Sequence, residues 1–194
     1  MHPFFFYVQL GFEHISDLAG YDHILFLVAL CAVYRLAQWK SLLILVTAFT
    51  VGHSLTLALT AFGLLTVRSE IIEFLIPATI FLTAIFNVVN YEDTIRRETL
   101  PRRYLAALCF GFIHGMGFSN YFRALLIDES AILLPLLGFN IGIELGQLLV
   151  VFCIVGSVFI CLHLFRMRHR DWSIFISGGA FGLSLMLMYE TKFW

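Results

Sequence analysis

Five ionisable side chains stand where an otherwise apolar chain should carry none. Asp22 and His23 open one hydrophobic segment, His53 and His114 each lie halfway along another, and Glu144 lies partway down a fifth. At the centre of a bilayer such a group costs about 2.5–3.5 kcal/mol on insertion scales, so each is a functional candidate by default. Neutral imidazoles with one or two carboxylates, and no thiolate or thioether cluster, suit borderline divalent ions such as Ni²⁺, Co²⁺, Zn²⁺ or Fe²⁺; copper(I) would want sulfur. A lone buried histidine is more often one bonded to a backbone carbonyl. Three of them inside the spans of one small chain favour a shared site.

His14 joins this set on a condition. Nine residues separate it from His23, which on an unbroken helix puts the two on opposite sides and about 13 Å apart. Gly20 could break the helix and return His14 to the site. The remaining histidines, His2, His163 and His169, fall near chain or span ends and read as solvated. Supporting polar positions are Ser54, Asn140, Gln147 and Glu73, the last near the outer end of its span, where water should reach it. The threonines around His53 in "FTVGHSLTLALT" read as bonded to the preceding turn of their own helix.

A helical wheel sharpens the fifth segment. At about 100° per residue with Asn140 at zero, Glu144 falls at about 40° and Gln147 at about 340°, while Gly138, Gly142 and Gly146 fall at about 160°, 200° and 240°. The glycine face admits a close helix neighbour, and the polar face is left to a cavity or to other polar groups. In "FGFIHGMGFSN", Gly111 and Gly115 likewise place a close contact beside His114.

These residues must be positioned by membrane helices. Sixty per cent of the 194 residues are hydrophobic and 13% are charged, too little polar surface to coat a soluble globule. Continuous Leu/Ile/Phe-rich runs exclude the alternating strands of an outer-membrane barrel, so the fold class is all-α, a polytopic bundle. Six spans are expected, at about 20–37, 41–66, 70–91, 103–127, 132–165 and 172–190, within a single domain covering 1–194. Residues 1–19 form an outer leader, readable as an interfacial helix, and 20–190 the bundle. Arg35, Lys40, Arg96, Arg97, Arg102, Arg103, Arg166, Arg168 and Arg170 fall in the odd loops, against Arg68 and Arg123 in the even ones. The positive-inside rule then makes the odd loops cytoplasmic and puts both termini outside. No cleavable signal precedes the first span. The four cysteines form no CxxC pair and read as packing residues.

The absence of a GxxxxGK loop excludes an ATP-driven pump on this chain, and nothing in the sequence points to nucleic acid. The expected partners are membrane lipids and the metal ion, with a second copy or accessory proteins left open. In order, "GFEHISDLAGYDHILFLVAL", "FTVGHSLTLAL", "IEFLIPATIFLTAIFNVVN", "FGFIHGMGFSNYF" and "FNIGIELGQLLVV" resemble the HupE/UreJ family of membrane proteins across nearly the whole chain. The resemblance implies nickel or cobalt uptake across the bacterial inner membrane, serving hydrogenase and urease maturation. On matching positions it points to His14, Asp22, His23, His53, His114 and Glu144 as the metal-handling group. The segment "ISDLAG" is longer than the family's usual spacer before the Asp-His pair, and it carries Asp17.

Three functions stay open at this point. The first is a secondary permease for a divalent transition metal (nickel, cobalt or zinc), with an outward-facing site and Glu144 as ligand and proton acceptor. The second is an intramembrane zinc hydrolase acting on a lipid or membrane substrate, in which Glu144 alone would be catalytic, as general base. The third is an accessory subunit whose polar residues knit helices together. Along the fifth span the polar face fades below Gln147 into "LLVVFCIVG", so the sequence displays no inward path.

Overall fold

The computed structural model describes residues 3–18, 20–91, 101–125 and 132–194; His2, Arg96 and Arg97 lie outside them. Seven helices and no strands occur among these residues: α1 (Pro3–Ser16), α2 (Asp22–Cys31), α3 (Trp39–Ala61, entered through a 3₁₀ turn at Leu36–Gln38), α4 (Ser69–Val89), α5 (Pro101–Ala124), α6 (Leu133–His163) and α7 (His169–Glu190). The chain is thus an all-helical membrane bundle. Its outer faces carry exposed apolar side chains such as Phe86, Phe152, Phe159, Phe175 and Leu185, which a lipid solvent accommodates and water does not.

Among the described residues, four helices are long and apolar enough to cross a bilayer: the segment Leu36–Ala61, α4, α6 and α7. The other two expected spans differ from expectation, each for a physical reason. α5 has the length, but His114, Ser119, Asn120 and its glycines dilute its apolar character. The first span is interrupted. Its helical part, α2, has ten residues and so reaches about 15 Å, half of a hydrocarbon core.

The missing half is supplied by α1. Tyr7 donates a hydrogen bond to the Leu125 carbonyl at the end of α5, and His14 packs on Phe118 at a ring distance of 3.9 Å. Further along, His23 lies 5.2 Å from His114, and Phe26 lies 6.1 Å from Phe110. The chain therefore descends antiparallel to α5, first as α1 and then as α2, with the break after Ser16 and before Asp22 at the level of the histidines. Asn87 of α4 donates to the Ala29 carbonyl at 2.6 Å, which also accepts the Ala32 N–H at 3.3 Å, and so anchors the far end of α2.

Glycine fixes two helix pairs. In α3 and α5 a Cβ at Gly52 would strike the Leu108 carbonyl, one at Gly111 the Phe49 carbonyl, and one at Gly115 the His53 carbonyl. In α1 and α6 a Cβ at Gly11 would strike the Phe139 carbonyl and one at Gly142 the Val8 carbonyl, with Gly138 on Phe4 and Gly146 on Phe12. From Phe49–Gly111 to His53–Gly115, and from Phe4–Gly138 to Phe12–Gly146, residue numbers rise together, so both pairs are parallel, and the two pairs run in opposite senses. Such close approach is what small residues permit between membrane helices.

The two pairs repeat one pattern. "GFEH" (11–14) of α1 corresponds to "GFIH" (111–114) of α5, and "FTVG" (49–52) of α3 to "FNIG" (139–142) of α6. Gly11 against Phe139 thus matches Gly111 against Phe49. The third members, α4 and α7, pack antiparallel on each other, with the corresponding rings Phe81 and Phe181 stacked at 4.9 Å. Arg68 and Arg168 precede them, reaching Glu70 and Asp171. The bundle is built of two inverted halves, α1–α3–α4 and α5–α6–α7, and α2 is the helix without a counterpart among the described residues.

Candidate metal site

The break after α1 creates the site. His14 occupies the last turn of α1, and Asp22 and His23 the first turn of α2. A helix C-terminus favours a cation nearby, and an N-terminus favours the Asp22 carboxylate. His53 and His114 come from α3 and α5, whose glycine contacts bring their backbones together at the same level.

The ligand nitrogens of His14, His23 and His53 all lie within 4.8 Å of one another. Ring centroids are 4.6 Å apart for His14 and His23, 5.7 Å for His14 and His53, and 6.0 Å for His23 and His53. His114 stands on the other side of His23 at 5.2 Å and is not part of that closest group. His53 and His114 are fully buried.

Hydrogen bonding sets the direction of the lone pairs. His23 Nδ1 lies 3.0 Å from Asp22 Oδ1, which also accepts the His23 backbone N–H at 2.9 Å. Nδ1 must carry the proton there, because an ionised carboxylate only accepts, and the His23 Nε2 lone pair is left without a partner. Thr79 donates its hydroxyl to the Ile76 carbonyl at 2.7 Å, so His114 Nε2, 3.0 Å from the same oxygen, is the donor between them. The His114 Nδ1 lone pair is then bare as well. His14 Nε2 and both nitrogens of His53 are also buried without partners. Each orphaned buried polar group costs about 1–3 kcal/mol, and a cation among His14, His23 and His53 would take one lone pair from each, with the His114 lone pair on the far side of His23. Carboxylate-buttressed histidine is the usual outer support of a metal ligand.

Glu144 is placed elsewhere. Its carboxylate accepts hydroxyls from Thr47 at 2.8 Å and Thr50 at 2.7 Å, and Gln147 Oε1 lies 2.7 Å from the same Thr50 oxygen. The wheel separation of α6 is explained by this: the glycine face meets α1 and the polar face meets α3. Thr50 therefore bonds a neighbouring helix in addition to its own. Asn140 Oδ1 is buried without a partner, Ser54 bonds back to the Thr50 carbonyl, and Glu73 is exposed on α4 away from the histidines. His169 is half-buried rather than fully solvated: it lies between the Tyr91 hydroxyl at 3.0 Å and the Tyr34 carbonyl at 3.1 Å, tying the start of α7 to the residues that follow α2 and α4. His163 is exposed and stacks on Phe159.

Several residues around the site gave no sequence signal. Thr79 looked like any other helix threonine. Phe118 and Phe139 stack at 5.0 Å beside His14, and Phe26 and Phe49 stack at 4.9 Å beneath His114. On the side away from the basic loops, an opening bounded by Leu10, Glu13, His14, Asp17, Phe118 and Tyr121 leads to His14.

The family described as "HupE / UreJ protein" matches residues 1–193, essentially the whole chain. No curated protein and no solved structure matches it.

Proposed function

The chain belongs to the HupE/UreJ family, which is associated with nickel and cobalt uptake or an accessory role, and from that premise we propose a secondary permease for a divalent transition metal, nickel or cobalt. The bacterial inner membrane is its proposed location. One observation carries the reading: imidazoles from α1, α2, α3 and α5 converge at a helix break with their lone pairs unpartnered. In this reading the cation is the cargo. Glu13 and Asp17 raise its local concentration at the opening, as acidic groups at a low-dielectric mouth do. His14 meets it first, and His23 and His53 complete its coordination.

Three imidazoles bound to one ion at about 2.0–2.1 Å place their nitrogens about 3.3 Å apart, and the present nitrogens fall within 4.8 Å of one another, so one ion fits among them with little movement. The break between α1, which ends at Ser16, and α2, which begins at Asp22, lets the His14 and His23 rings adjust to the ion. Glu144, with two hydroxyl donors and no cationic partner, suits a proton acceptor coupled to transport better than a ligand. That placement also disfavours the hydrolase, whose general base would need to reach a water on the ion.

The test is uptake of radioactive nickel or cobalt into vesicles holding the purified protein, with and without His53→Ala. Concentration-dependent uptake lost in the variant supports the permease. Tight retention of metal with no flux in the parent protein rules it out and favours a resident zinc ion.

A further inference from the structure

The sequence displays no route from the histidines to the basic end of the bundle, and α6 offers none. A cavity of about 430 Å³ nevertheless lies on that side, among α2, α3, α4 and α5, with Leu30, Leu45, Ala107 and Phe110 in its wall and Arg102 and Arg103 at its mouth. Three helices agree on its position. Leu30 follows His23 on α2, Leu45 precedes His53 on α3, and Ala107 precedes His114 on α5, each by seven or eight residues, which is about 11 Å of helix.

Between cavity and histidines stands one aromatic layer. Phe26 and Phe49 are fully buried and stacked, Phe26 meets Phe110 at its edge, and both rings lie 5.2 Å from His114. Resting on the permease reading, we infer that this cavity is the inward half of the ion path and that Phe26 and Phe49, closed against Phe110, are its gate.

The inverted halves support this independently of the cavity's shape. The correspondence of α1 with α5 carries Leu10 and His14, which line the outer opening, onto Phe110 and His114, at the inner gate. Phe139 beside His14 is likewise carried onto Phe49 beside His114. Two inverted halves around one site can exchange conformations, so that the cleft open on one side closes as its counterpart opens. Arg103 hydrogen-bonds Tyr34, and with Arg102 it keeps positive charge at the inner mouth, so the cavity is no second cation site but a space of transit.

The test uses a chain freed of its own cysteines, in vesicles of defined sidedness, with a membrane-impermeant thiol reagent, so that no reading depends on metal. A thiol introduced by Ala107→Cys is expected to react from the basic-loop side. A thiol introduced by His23→Cys is expected to react mainly from the opposite side, and to react faster from the basic-loop side when Phe26→Ala is added. Phe26→Leu serves as the milder variant should the alanine form misfold. An unreactive thiol at position 107, or no gain at position 23 in either Phe26 variant, overturns the proposal. Nickel uptake failing while these labelling results hold would remove the permease reading instead, leaving an aqueous cavity behind an aromatic barrier.

Discussion

At the residue scale, Asp22 and Thr79 orient the imidazoles of the proposed metal site. Asp22 fixes the proton on His23 Nδ1, and Thr79 fixes it on His114 Nε2, so each ring turns a bare lone pair inward. Outer support of this kind is worth about 10–100-fold in metal affinity. Asp22→Asn and Thr79→Val should each lower affinity by about that factor, measured by titration of the purified protein with nickel, while His53→Ala should abolish binding. Equal affinity in Thr79→Val and the parent protein would mean that His114 takes no part. Glu144→Gln should leave binding intact and remove the dependence of uptake on a proton gradient. Protons compete with the ion for the imidazole lone pairs, so affinity should fall as pH falls. The residue types were legible in the sequence because a charged or imidazole group in an apolar run stands out. Thr79 was not, because a helix threonine that serves a neighbour has the same sequence context as one that serves its own backbone.

At the element scale, the site depends on glycine and on a break. A side chain at Gly111 or Gly142 would meet backbone, which cannot rotate away, whereas Gly156 and Gly182 have nothing within 4 Å. Gly111→Leu and Gly142→Leu should therefore destabilise the bundle by about 1–3 kcal/mol or more, read as a lower unfolding temperature in detergent, with Gly182→Ala close to neutral. The break is equally exacting. Rebuilding Asp17–Gly20 as continuous helix, with alanine at those positions, should separate His14 from His23 by about 13 Å and remove high-affinity binding. Retained affinity would show that His23, His53 and His114 suffice. That Gly20 could end a helix was readable; that α1 continues the path of α2 was not, since a helix break looks alike in a leader and in a span.

At the scale of the whole molecule, the charges give direction. The start of α1 and the end of α7 lie at the end of the bundle opposite Arg35, Arg102, Arg103 and Arg168, as the Tyr7 bond to Leu125 and the packing of Phe74 on Phe193 and Trp194 require. A periplasmic reporter enzyme fused after Trp194 should be active in a bacterial host, and a fluorescent protein at the same point dark. The reverse result would invert the bundle and turn uptake into export.

Composition alone determined that the chain is helical and membrane-bound, because free energies of transfer to lipid depend on residue type and run length. The candidate ligands of the proposed site were singled out by the same cost. Tertiary structure decided which polar groups share a site: Glu144 goes to the threonines of α3, and His14 to His23 across a break. Periodicity assigns a residue to a face of its own helix, but the neighbour on that face is set by packing between distant segments. The pairing of α1 with α6 and of α3 with α5, and the cavity beneath Phe26, exist only in that packing.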